Sequence, residues 1–137
     1  MVSITGNNNR RFIVKKQRPM NLDLTTIKLP SAGKASILHR VTGVAMFFAL
    51  LFVIWAWATS LASADGFALV QDVMGGIFGK IIAIGTLSAL TYHILGGIRH
   101  VVMDMGHWEE LKSGNLSAEI TIGLWIVLTI VIGVVLW

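Results

Sequence analysis

Two short stretches hold the side chains able to do chemistry. The first, Thr91 to Asp104, reads TYHILGGIRHVVMD. It sets His93 inside an apolar run, follows it with Gly96 and Gly97, and ends with His100 and Asp104. Helical spacing puts these residues on one face. The second, SILHRVTG, sets Ser36, His39 and Arg40 at i, i+3 and i+4. An ionisable side chain within an apolar span is costly, so His93 is a functional candidate. A neutral imidazole with side-chain-free backbone one turn on suits a flat macrocycle such as haem. The nitrogen binds the iron, and the glycines let the ring approach the helix. A histidine hydrogen-bonded to a neighbouring helix fits the same spacing equally well.

The elements that must position these residues are read from hydropathy. The chain has 137 residues, 55% of them hydrophobic and 13% charged. Its mean hydropathy is +0.75, too apolar for a soluble domain of this size. The expected fold is all-α, an integral membrane protein with three transmembrane helices at about 41–61, 80–98 and 120–137. Val41 to Leu61 carries no charge and is long enough to cross the hydrocarbon core. Trp55 and Trp57 lie toward its far end, where aromatic belts form. Ala62–Gly79 and Arg99–Glu119 read as loops, although the second helix has the pattern to continue to Asp104. Residues 1–30 form a basic segment ahead of the membrane domain, 31–137. No secretory signal is evident in it. Arg18–Pro30 reads as extended or turn-rich between two prolines, and Ser31 as a helix N-cap.

Cysteine is absent, so this chain supplies no disulfide, thiolate or iron–sulfur cluster. The net charge is +4, but the basic residues border apolar spans instead of alternating with exposed aromatics, which argues against nucleic acid. Ten of the eleven Lys and Arg residues fall on the side of the N-terminus; only Lys80 falls opposite. The positive-inside rule then puts the N-terminus in the cytoplasm and the C-terminus outside.

Haem with two axial ligands needs them on opposite faces of its ring. His93 and His100 share one helix face about two turns apart, so they do not flank one iron. His39 is expected at a helix end and His107 in a loop. If His93 binds haem, the opposite ligand is expected from another subunit. His39, Arg40 and Arg99, at the basic rim, suit the propionates. The same rim suits a quinone, whose carbonyl oxygens need donors and whose reduction builds negative charge. Ser36 offers a hydroxyl and Arg40 a fixed guanidinium. The bland alternative is an interfacial helix end with Arg40 snorkelling to lipid phosphates.

RPMNLDL, SILHRVTG and YHILGGIRHVVMD together resemble the signatures of the cytochrome b subunit of bacterial succinate dehydrogenase (succinate:quinone oxidoreductase, respiratory complex II). This is the larger of that enzyme's two membrane anchors, and the resemblance runs from about Lys15 onward. It implies that His93 is the axial ligand of the iron of haem b, shared with a second, smaller anchor subunit that completes a helical bundle. It implies that Ser36 and Arg40 line the ubiquinone site, and that His39 and Arg40 lie near the haem propionates. His100 and Asp104 match the RHxxxD part of the signature, where a hydrogen-bond network at the membrane surface is as good a reading as catalysis. The implied partners are that anchor, an iron–sulfur subunit and a flavoprotein subunit, set in the bacterial inner membrane with the C-terminus periplasmic. Succinate oxidation and cluster relay then lie on the soluble subunits, with no catalytic residue in this chain. A purely structural anchor, or the anchor of a quinol:fumarate reductase, is the alternative.

Overall fold

The structure, a computed structural model, describes residues 28–137. Four helices follow one another: α1 (Ser31–Ala62), α2 (Ala64–Gly75), α3 (Ile77–Asp104) and α4 (Leu111–Leu136). No strand occurs among the described residues. α1, α3 and α4 are long and apolar enough to cross a membrane. Expectations for residues 1–27, including most of the Arg18–Pro30 segment, lie outside the described residues.

α1 starts directly after Pro30, the N-cap residue, whose carbonyl accepts from the Gly33 and Lys34 amides at 3.0 and 3.1 Å. Ser31 is therefore the first helical residue and not the cap. Its hydroxyl instead donates to Glu119 Oε1 on α4 at 2.8 Å. The Ala32 amide, one of the unpaired donors of a helix start, is capped across the bundle by Asn115 Oδ1 at 3.0 Å. A second correction concerns Ala62–Gly79, expected as a loop. It holds the twelve-residue α2, separated from its neighbours by only Ser63 and Gly76. The Ser63 hydroxyl accepts from the Gly66 amide at 3.0 Å and caps this helix. Asp65 in its first turn complements the helix dipole. Gly66 and Gly79 permit the close passage: a Cβ on either would collide with the Thr59 or Val73 carbonyl.

Arg99–Glu119, read as a loop with the second helix able to continue to Asp104, departs from that reading chiefly at its far end. α3 continues to Asp104, and α4 begins at Leu111, leaving a short connection. Gly106 takes φ 85° just past the end of α3, where its amide donates to the Met103 carbonyl at 2.9 Å, and Trp108 takes φ 59°. Positive φ is cheap for the glycine and uncommon for a tryptophan.

The buried core of the bundle is small and mixes apolar with polar residues, while its outer surface is largely apolar. Ala35, Tyr92 and Ala118 are the buried apolar residues, joined by Thr42, Arg99 and Ser117. Phe47, Phe48, Leu51, Ile126, Val127 and Ile130 face outward. Lipid tails do not drive apolar side chains together, so membrane helices associate through close backbone approach and polar contacts. Those contacts are present here. Tyr92, fully buried, donates from its hydroxyl to the Ala35 carbonyl of α1 at 2.9 Å and meets Trp125 of α4 edge-on at 5.1 Å. Trp125 Nε1 donates to the Ser88 carbonyl at 3.0 Å, while Ser88 and Thr129 share a hydroxyl contact at 2.8 Å. At the far end Lys80 Nζ donates to the Trp137 main-chain oxygen at 2.7 Å and stands 5.5 Å from its ring.

Candidate functional site

The basic end of the bundle brings α1 and α3 into contact through two glycines. A Cβ on Gly96 would stand 2.8 Å from His39 Cδ2, and one on Gly43 would stand 3.2 Å from His93 Cε1. Each histidine thus lies against bare backbone of the opposite helix. The two imidazoles stack, with centroids 4.1 Å apart and planes 10° from parallel. His39 is consequently not at a free helix end. It lies two turns into α1, where its ring contacts His93 on one side and His100, 5.1 Å away and tilted by 59°, on another.

His93 is oriented by the main chain of α1. Its Nδ1 lies 3.2 Å from the His39 carbonyl oxygen and 3.5 Å from Thr42 Oγ1. A carbonyl only accepts, so the shorter contact assigns the proton to Nδ1 and leaves the Nε2 lone pair free for a metal. A ligating histidine is ordinarily fixed in this way, through its second nitrogen. Nε2 of His39 is buried without a hydrogen-bond partner among the described residues. Burying a polar nitrogen in that state is unfavourable. A hydrogen-bond partner on an incoming group would satisfy it, an acceptor such as a carboxylate if Nε2 carries the proton, so the free Nε2 of His93, this orphaned nitrogen and the glycine contacts fit a flat metal macrocycle bearing carboxylates. In this structure the His39 ring fills the Gly96 side of those contacts, so a macrocycle lying there would require the His39 ring to turn away.

Ser36 and Arg40 form a second group one turn apart on α1. Arg40 is exposed, and its Nη2 donates to Ser36 Oγ at 3.4 Å, a long contact that leaves most of the guanidinium's donors available. Asp104 and His107 are both exposed, and the structure does not bring them to the histidine pair.

Arg99 departs from its expected place at the rim. It is only 4% exposed and faces α4, where Nε donates to Ser117 Oγ and Nη2 to the Gly114 carbonyl, both at 3.0 Å. It joins α3 to α4, and two of its donors are engaged there. Sequence spacing also missed Thr42, whose hydroxyl lies beside His93. A mid-helix threonine carries no signal of its own, and only the helix pairing reveals it.

Three apolar helices, with an imidazole pair held between two of them at the basic end, define a multi-pass helical membrane subunit. The chain belongs to the succinate dehydrogenase/fumarate reductase transmembrane subunit family, whose profile matches residues 14–132. It is 33% identical over 122 residues to a succinate dehydrogenase cytochrome b556 subunit of Coxiella burnetii, an alignment covering 88% of this chain and 98% of that protein. The subunit of the same name from Paracoccus denitrificans is 32% identical over 113 residues, 82% of this chain and 87% of that one. That of Rickettsia felis is 33% identical over 121 residues, 88% and 94% of the two chains.

Proposed function

We propose that this chain is the anchor subunit of a succinate:ubiquinone oxidoreductase that ligates haem b through His93 and contributes Ser36 and Arg40 to the ubiquinone-reduction site. The observation that carries the haem assignment is the 3.2 Å contact from His93 Nδ1 to the His39 carbonyl, because it presents Nε2 as the free donor. The relatives' name, cytochrome b556 subunit, supports the same cofactor. Haem, when bound, supplies one-electron redox capacity beside the quinone. This chain's residues would hold it: His93 by its nitrogen, Gly96 and Gly97 by absence of side chain, His39 and Arg40 toward the propionates. His39 does not serve as the second axial ligand in this arrangement, because two rings stacked face to face at 4.1 Å do not bind one iron from opposite sides. A second, smaller anchor supplies that ligand, and an iron–sulfur and a flavoprotein subunit complete the enzyme. The basic end faces the cytoplasm of a bacterial inner membrane, following the distribution of Lys and Arg.

A guanidinium offers only donors and positive charge, so the part of Arg40 in quinone reduction is electrostatic: it favours the negative charge that builds on the quinone oxygen. Ser36 orients a carbonyl oxygen. Loss of a charge-assisted contact of this type costs about 1.5–3 kcal/mol, roughly ten- to a hundredfold in rate or affinity. The test compares the assembled wild-type complex with His93→Ala, Ser36→Ala and Arg40→Ala. His93→Ala should remove or alter the reduced-minus-oxidised b-type spectrum, and an unchanged spectrum rejects the ligand assignment. The α1 variants should depress succinate:ubiquinone turnover while sparing succinate oxidation by an artificial acceptor that bypasses the membrane. Equal loss of both activities assigns Ser36 and Arg40 to assembly; loss of neither places the quinone elsewhere.

A further inference from the structure

Three donors converge on one main-chain oxygen. The His39 carbonyl lies 3.2 Å from His93 Nδ1 and 3.0 Å from Thr42 Oγ1. The α-helical ladder brings the Gly43 amide to the same oxygen, since α1 runs unbroken through this turn. A carbonyl oxygen has two lone pairs, so it is oversubscribed. Thr42 is 7% exposed, and its single hydroxyl proton is shared between the His39 carbonyl and the Leu38 carbonyl at 2.9 Å. Each donor that draws on the oxygen weakens the others' hold on it.

We propose that Thr42 is a positioning residue that limits the strength of the His93 Nδ1–H···O=C bond and thereby sets the donor strength of His93 Nε2 toward haem iron. The proposal rests on the assignment of His93 as axial ligand. A strong bond from Nδ1–H gives the imidazole imidazolate character, makes Nε2 a better donor and favours the oxidised metal. By competing for the oxygen, the Thr42 hydroxyl keeps that bond weak and the haem reduction potential high. The ring is held in this orientation by its Nδ1 contact and by stacking on His39, with centroids 4.1 Å apart. Gly43 presents bare backbone to its edge, where a Cβ would stand 3.2 Å from Cε1. A change at the hydroxyl therefore acts through bond strength. The 3.5 Å separation between Thr42 Oγ1 and His93 Nδ1 is too long for the hydroxyl to be the main acceptor, which fixes the sign.

The experiment is a redox titration of the haem α band in the assembled complex carrying Thr42→Val, Thr42→Ser or Thr42→Ala, with wild type and His93→Ala alongside. Valine keeps the shape and removes the hydroxyl. At a fixed applied potential near the midpoint, its reduced-to-oxidised ratio should fall roughly two- to tenfold, a downward shift of at most about 59 mV for one electron. Thr42→Ala should shift the same way, and it decides the question if the valine variant does not assemble. Thr42→Ser should titrate like wild type. An unchanged or raised potential in the variants without a hydroxyl overturns the proposal, as does a serine variant that shifts as far as valine. A wild-type-like spectrum in His93→Ala removes the ligand assignment itself. With ligation confirmed as dependent on His93, an unmoved potential counts against Thr42 alone.

Discussion

Removing the Ser117 hydroxyl should weaken the bundle through Arg99, and a double-mutant cycle measures by how much. Arg99 is a nearly buried guanidinium in an apolar chain, held by two neutral acceptors on α4, with no carboxylate paired to it among the described residues. Ser117→Ala takes away the acceptor of Nε and leaves the charge in place. The cost is that of an unsatisfied buried donor on a charged group, about 1–3 kcal/mol. Arg99→Met removes charge and both bonds together while keeping much of the volume. The Gly114 carbonyl and Ser117 hydroxyl then still satisfy each other at 2.9 Å. Relief of desolvation offsets part of that loss, as when buried ionic groups are replaced by apolar ones. Once Arg99 is methionine, deleting the Ser117 hydroxyl should add little. Polar contacts between membrane helices average about 0.6 kcal/mol in such cycles, with a maximum of about 1.7. A charged, buried donor belongs at the upper end, so a coupling of about 1.5 kcal/mol is expected, near a tenfold change in the unfolding constant. The assay is reversible unfolding in mixed detergent–SDS micelles, followed by fluorescence of Trp125, which packs on Tyr92 across the same interface. Additive effects, with coupling below about 0.3–0.5 kcal/mol, would refute the reasoning.

Three further outcomes follow from the packing and from the proposed topology. Gly79→Ala should displace α2, since the new Cβ meets the Val73 carbonyl and neither main chain yields cheaply; protease sensitivity near Ser63 reports it, and wild-type resistance counts against the packing. Asn115→Ala should cost about 1 kcal/mol, because the Ala32 amide loses its cap from α4, whereas Asn115→Asp should retain most of the stability. Reporter fusions at Ala64 and at the C-terminus should both register outside the cytoplasm, and a cytoplasmic signal from either rejects the orientation drawn from the basic residues.

The sequence by itself determined which segments are apolar enough to cross a membrane, because hydropathy is a local sum along the chain. It also singled out His93, because an ionisable group inside such a segment stands out against its neighbours. It had no means of finding α2, whose twelve residues are too few for a span and whose cap is a single serine between helices. Tertiary structure decided the rest of the site. His39 and His93 are far apart in sequence, and only the approach of α1 to α3 over Gly43 and Gly96 stacks them. The same pairing brings the Thr42 hydroxyl beside His93. Arg99 looks like a surface cation from its place at the end of a hydropathy window, yet the helix continues past it and α4 supplies acceptors that bury it. Ser31 has the composition of an N-cap, but Asn115 already caps the next amide and Glu119 takes the hydroxyl. In each case the deciding contact lies across the bundle, where helix pairing rather than residue type determines what a polar group meets.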